Sequence, residues 1–258
     1  MDEVYRMPRN LHLCGAVGVC AMTLPSFLQS VFTLPTRPVS ATVALVGIPA
    51  VVAAVENERT AAVYNTATIA AVDGMPIVKK ARRSGIQCDR CSGPDFMGAV
   101  FAKSVLCGKT HYLYGGKNDE ALDRLRERLQ NDYPGIQILG AYSPPYRQLT
   151  PEEDSAVCAE INCLRPDFVW VGIGAPKQEI WMDDHRAKIV GCVMLGVGAG
   201  FDFLAGTLSK APRWMEQCSL EWLYRLCKEP RRLWKRYILG GVKYACYSLA
   251  ACKKPAAR

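Results

Sequence analysis

The chain has 258 residues, 50% of them hydrophobic and 22% charged. That is enough to bury a core unaided, and it excludes a collagen, a coiled coil and a wholly disordered chain. The formal net charge is +8, yet residues 210–258 hold 12 Lys and Arg against three Glu, so the basic character belongs to the C-terminal segment alone.

Twelve cysteines in a chain this long are expected as reduced, mostly buried thiols rather than a disulfide scaffold. Two N-terminal stretches, residues 11–36 and 38–55, contain no Asp, Glu, Lys or Arg. Length alone would let each cross a membrane. Pro25, Ser26, Gln29 and Ser30 in the first, and Gly47 and Pro49 in the second, instead suit strand and helix pieces buried in a sheet covered on both faces. The mixed charge of the first six residues is unlike a cleavable signal.

From residue 110 the alternation of elements is plain. A β-rich run at 112–114 gives way at Gly115 and Gly116 to a helix over 119–131, in which Leu122, Leu125 and Leu129 share one face. Pro134 and Gly135 stop it, and a strand over 136–139 follows. Thr150, Pro151 and Glu153 then supply the cap, the first position and the capping box of a helix running to about Leu164. A strand at 168–171, a helix opened by Pro176 and a buried strand over 189–197 complete a repeated β-α-β pattern, hence a parallel sheet. After Gly206 come two Trp-containing helical stretches, 212–228 and 230 to about 251. The expected architecture is α/β: a Rossmann-like, mostly parallel sheet flanked by helices in a body over 1–209, with a basic helical appendage over 210–258.

In an open parallel sheet, ligands collect at the carboxyl ends of the strands, where turns and helix N-termini present free N–H groups. Four turns qualify, at 72–74, 114–116, 172–179 and 196–202, and Asp202 in the last can hydrogen-bond a ribose or a base edge. No full GxGxxG fingerprint, P-loop or Asp-x-Asp motif occurs, which lowers nicotinamide and ATP chemistry and a metal held by paired aspartates. Cys88 and Cys91 have metal-ligand spacing. With no second pair, and with His12, His111 and His185 far apart in sequence, no structural zinc is expected.

The phrases VDGMPIV, LYGG, SPPY, GIGAPKQEIWM, GVGAGFDFLAGTLSKAPRWM, LEWLYRL and EPRRLWKRY occur in this order between residues 72 and 237. Together they resemble the WecG/TagA/CpsF glycosyltransferases, family 26. The resemblance implies an inverting transferase that moves a sugar from a UDP-sugar, such as UDP-N-acetylmannosamine, its uronic acid or a hexose, onto a polyprenyl-diphosphate-linked acceptor at the inner face of the bacterial membrane. Asp73 matches the aspartate of the family's DG motif, which implies the base that takes the acceptor's proton. Arg90 matches an arginine near the sugar pocket. Gln178 and Asp202, and less directly Tyr146 and Glu179, match nucleotide-sugar contacts. Arg225, Arg232 and Lys235 match arginines that close over the site and hold the departing diphosphate in place of a metal, so no cofactor is expected. Lys235 departs from the pattern because lysine cannot fork, and neighbouring Arg236 is an alternative. Trp181, Trp214 and Trp222 are expected to pack rather than to bind sugar.

A second departure lies upstream. The family carries a Thr-x-Asn phrase 26 to 28 residues before its aspartate, where this chain has Leu45 and Gly47. Either another residue such as Asn65 takes over, or the chain is a weakened UDP-sugar-binding scaffold of a polysaccharide assembly complex. The basic, aromatic appendage suits an anionic membrane surface. No motif supports nucleic acid as a partner, and self-association is left open.

Overall fold

The computed structural model describes residues 5–253 apart from 38, 213, 216, 217 and 219. Its first charge-free stretch divides into an antiparallel hairpin, β1 (Leu11–Leu13) and β2 (Val17–Val19), and a helix, α1 (Leu24–Thr33), capped by Thr23. The second breaks at Gly47 into β3 (Ala41–Val46) and α2 (Ile48–Glu56). Glycine is required at that break, because a Cβ on residue 47 would lie 2.7 Å from the Asp73 carbonyl oxygen. Among the described residues no helix is long and apolar enough to cross a membrane.

The chain continues through α3 (Glu58–Thr66), β4 (Ile69–Val72), α4 (Met75–Arg83), α5 (Gly93–Cys107), β5 (Thr110–Gly115), α6 (Asp119–Asp132), β6 (Gln137–Tyr142), α7 (Pro151–Leu164), β7 (Phe168–Gly172), α8 (Lys177–His185), β8 (Val193–Gly196) and α9 (Gly200–Leu204). Strands β3 to β8 form one six-stranded sheet in the order β4-β3-β8-β7-β5-β6, and every pairing is parallel. Successive side chains of each strand point to opposite faces. Val43, Phe168 and Trp170 meet Phe27, Phe96, Phe101 and the Leu122–Leu125–Leu129 face of α6 on one side. Ala44 and Val46 meet α2 and α4 on the other, and Val169 and Val171 meet α7 and α8 there. The Trp170 indole donates to His111 Nδ1 at 3.0 Å, and burial pushes that imidazole down to about 4, so it stays a neutral acceptor in the core.

The helix over 119–131 and the capping box at Thr150 and Glu153 stand as the sequence predicts. The last strand is shorter than its apolar run. Ile189 is buried but hydrogen-bonds back to His185 O, and the chain turns at Gly191 (φ +94°) before β8 begins.

The predicted helical stretch over 212–228 is interrupted: residues 213, 216, 217 and 219 lie outside the described residues, residues 214–215 are helical, 218 and 220 are not, and α10 (Glu221–Lys228) forms the rest. A continuous helical run follows: α11 (Pro230–Trp234), a π-helical stretch (Lys235–Leu239) and α12 (Gly240–Lys253). This run folds back onto α2, where Lys243 Nζ and Tyr247 OH reach Glu56 at 2.6 and 3.0 Å and Tyr244 packs on the core.

Candidate active site

The carboxyl end of β4 delivers Asp73, whose N–H bonds Val46 O on the neighbouring strand. Gly74, at φ +143°, then turns the chain into α4. The Cys91 N–H bonds Val72 O, which fixes the loop before α5 beside this turn and sets the Arg90 Nε 3.3 Å from Asp73 Oδ1. The other end of the same guanidinium lies 2.5 Å from Glu221 at the start of α10. Arg90 thus bridges a carboxylate of the sheet edge and a carboxylate of the C-terminal segment. Burial raises the Asp73 carboxyl above its ordinary range, Arg90 opposes that shift and Glu221 adds to it. Burial also works against the Arg90 charge, but the two carboxylates outweigh it. About a third of the Asp73 side chain, 35%, remains open at the rim, so an approaching molecule can reach the carboxylate.

Arg225 joins this group. It stacks 5.3 Å from the Phe203 ring centre and lies near enough to favour the charged form of Asp73. Tyr237 sits in the combined field of Arg225, Arg236, Glu221 and Asp73. Arg232 and Lys235 are not drawn in: Arg232 pairs with Glu229 and Lys235 lies 5.9 Å over the Trp234 ring, both exposed. Arg236, one residue on, lines a cavity of about 190 Å³ with Pro49, Ala50, Ala53, Tyr64 and the Ala175–Pro176 turn. Sequence reasoning missed Glu221 and Tyr237, and only the fold brings them to Asp73.

Behind that cavity lies a buried polar group. Gln178, 3% exposed, tucks its amide beneath Gly196 and Gly198 and donates to Glu179 Oε1 at 2.8 Å. Gln178 Oε1, Glu179 Oε2 and the hydroxyl of fully buried Tyr64 have no hydrogen-bond partner within bonding distance among the described residues. Burial pushes the Glu179 carboxyl up to about 7 against the pull of Gln178. Glu179 therefore stands in the wall rather than on the surface of the site.

Asp202, on α9, accepts from Thr207 Oγ1 at 3.3 Å and faces Lys117 across a narrow crevice formed with Gly116 and Ala205. Tyr146 is 92% exposed and stands apart from this group. Asn65 is committed elsewhere: its side chain holds Gly18 N and Ala16 O of the β1–β2 hairpin, so it does not replace the absent Thr-x-Asn phrase. Leu45 and Gly47 lie beside the Asp73 turn and offer it no polar side chain. Trp181 packs as expected, stacked between Tyr114 and His185. Trp222 packs edge-on against Tyr237, 6.4 Å between ring centres, while 41% exposed, and Trp214 is 59% exposed.

The two cysteines with metal-ligand spacing, Cys88 and Cys91, are buried, and the eleven cysteines described are all free thiols.

Comparison with known proteins bears on the family. An N-acetylglucosaminyldiphosphoundecaprenol N-acetyl-β-D-mannosaminyltransferase of Bacillus subtilis (strain 168) is 33% identical over 174 residues, 67% of this chain and 65% of the relative. The chain thus matches just under two-thirds of that protein's length. The model of the glycosyl transferase WecG/TagA/CpsF family matches residues 13–258. On a family match over nearly the whole chain, this protein belongs to the WecG/TagA/CpsF family of glycosyl transferases.

Proposed function

We propose that this chain is an inverting glycosyltransferase that moves an N-acetylmannosaminyl or related sugar from a UDP-sugar onto a polyprenyl-diphosphate-linked saccharide, for a cell-surface polymer. The similar Bacillus protein is named for an acceptor of that class and for an N-acetyl-β-D-mannosaminyl group. The observation that carries the reading is the Asp73–Arg90–Glu221 bridge, which ties a proton acceptor at the sheet edge to the segment bearing Arg225 and Arg236.

In this mechanism Asp73 removes the proton of the acceptor hydroxyl, and the oxygen attacks the anomeric carbon from the face opposite the diphosphate. The bond from that carbon to the UDP oxygen breaks, and the electron pair leaves with UDP. Arg225 and Arg236 offset the developing charge, so the reaction needs no divalent cation. Asp202 and the 196–200 loop hold the nucleotide, and Gln178 braces that loop from below.

Docking to membrane brings the lipid-linked acceptor within reach. Trp222, Trp234, Ile238 and Val242 are exposed on the same segment as Lys228, Arg231, Arg232 and Lys235. Apolar and aromatic side chains amid cations suit the interface of an anionic leaflet.

Asp73→Ala is expected to abolish sugar transfer in the presence of EDTA-treated membrane extract while leaving UDP affinity intact. Undiminished transfer by that variant refutes the base assignment. The absence of polar side chains at 45 and 47 supports a second reading, a binding scaffold, for which UDP-sugar binding without UDP release by the wild-type chain is the signature.

A further inference from the structure

Away from the first turn of α8, which faces the transfer site, three side chains converge that transfer does not use. Asp154 and Cys158 stand one turn apart on α7, and His185 is the last residue of α8. A carboxylate oxygen, the cysteine Sγ and a ring nitrogen from these residues all lie within 4.8 Å of one another. Cys158 and His185 are 8% and 6% exposed, and Asp154 keeps an edge on solvent.

The hydrogen bonding of His185 leaves a place for a cation. Its Nδ1 lies 2.7 Å from the Trp181 carbonyl oxygen. A carbonyl only accepts, so Nδ1 carries the hydrogen. Its Nε2 lies 2.7 Å from Asp154 Oδ1. In a neutral imidazole that second nitrogen presents a lone pair, and a lone pair facing a carboxylate oxygen requires positive charge between them. A proton meets that need but leaves an imidazolium buried. A metal ion meets it and also takes the Cys158 sulfur.

The surrounding contacts are those of a prepared site. The Trp181 carbonyl fixes the ring through Nδ1–H, the Trp181 indole stacks on it at 4.3 Å, and Asp154 Oδ2 accepts from Lys188 Nζ at 2.9 Å, leaving Oδ1 for the ion. We propose that Asp154, Cys158 and His185 bind a divalent transition-metal ion, zinc by their ligand chemistry, with water in the fourth position on the solvent side. Bonds of about 2.0–2.3 Å set tetrahedral ligand atoms roughly 3.5 Å apart. The imidazole and carboxylate therefore separate by under about 1 Å, a side-chain adjustment. Cys158 releases its thiol proton to solvent on binding, and the thiolate and carboxylate together balance the charge of the ion. The ion fastens α7 to the helix whose first turn carries Gln178 and Glu179. It takes no part in the transfer step, and its test needs no turnover.

That test is titration of the purified full-length chain, first dialysed against chelator, with Co²⁺ and with Zn²⁺. The expected results are a thiolate-to-cobalt charge-transfer band that saturates at one equivalent and a rise in melting temperature with zinc. Cys158→Ser removes the band, and Asp154→Asn weakens zinc binding roughly tenfold or more. Both replacements are close in size, and metal-free melting shows whether each variant folds; should Cys158→Ser not fold, Asp154→Asn decides in its place. No band in the wild-type chain overturns the proposal, because a proton then holds the pair. A band and melting shift that Cys158→Ser leaves unchanged overturn it too, because another cysteine is then the ligand.

Discussion

Replacing Glu179 by Gln isolates the energetic consequence of burying a carboxyl with one oxygen unpartnered. Its folded value of about 7 lies above the ordinary 4.5. Between those values the unfolded chain has lost the proton that the folded chain still holds, so rising pH favours unfolding. Stability from this group is complete below pH 4.5 and is lost as pH climbs through 7. At 1.36 kcal/mol per pH unit the loss is about 3 kcal/mol. With Glu179 only 2% exposed, solvent screening takes little from it. Glu179→Gln keeps the acceptor that Gln178 Nε2 uses and removes the titration. Urea unfolding at a series of pH values reads the difference between the two proteins, which cancels the titration of all other groups. The difference is expected near zero at pH 4.5 and to grow until the variant is more stable by about 3 kcal/mol at pH 8. Parallel curves for the two proteins would show that the carboxyl is hydrated or paired in solution, and would refute the reasoning.

Three further outcomes follow from the site. The acid limb of the kcat/KM profile should fall above the ordinary aspartate value near 3.9, and Glu221→Gln should move it down, because Glu221 raises the Asp73 carboxyl; an unmoved limb separates the titration from Asp73. Arg236→Ala should lower turnover by about 100-fold or more, whereas Arg232→Ala, an exposed pair with Glu229, should change it by less than roughly threefold; steady-state assays showing the reverse order would reject the placement of the two arginines. Binding to anionic vesicles should weaken with salt and with Trp222→Ala and Trp234→Ala, measured by co-sedimentation, and equal binding to neutral vesicles would contradict the membrane surface proposed here.

What could be read from the sequence was what local chemistry decides. The cap at Thr150, the reciprocal Glu153 and the leucine face of α6 all lie within a few residues of one another, so the chain states them directly. Asp73 could be singled out because it sits in VDGMPIV, a phrase whose residue order is itself a signature, and Arg90 only through its match to the family. Glu221 lies in the LEWLYRL phrase, but nothing in that phrase says which side chain its carboxylate meets: it acquires its place only when α10 crosses to Arg90. The exposed Trp214 and Trp222 show the same limit, since helical spacing places aromatics on a common face without telling whether anything covers it. The trio at Asp154, Cys158 and His185 escaped motif reading because its members come from two helices separated by a strand.

The π-helical stretch at 235–239 has a consequence for how the C-terminal segment tolerates change. A π turn accommodates one more residue than an α turn, so it acts as a phase shifter between two anchorages: Arg236 directed at the cavity, and Lys243 and Tyr247 clipped to Glu56. Deleting a single residue there would restore regular winding and leave the downstream helix facing nearly as before, because the π turn already takes up the extra residue; the same loss from a regular α stretch would rotate everything beyond it by about 100°. The clip and the arginine could then both be kept, so this stretch tolerates a one-residue change in length that a regular helix would not.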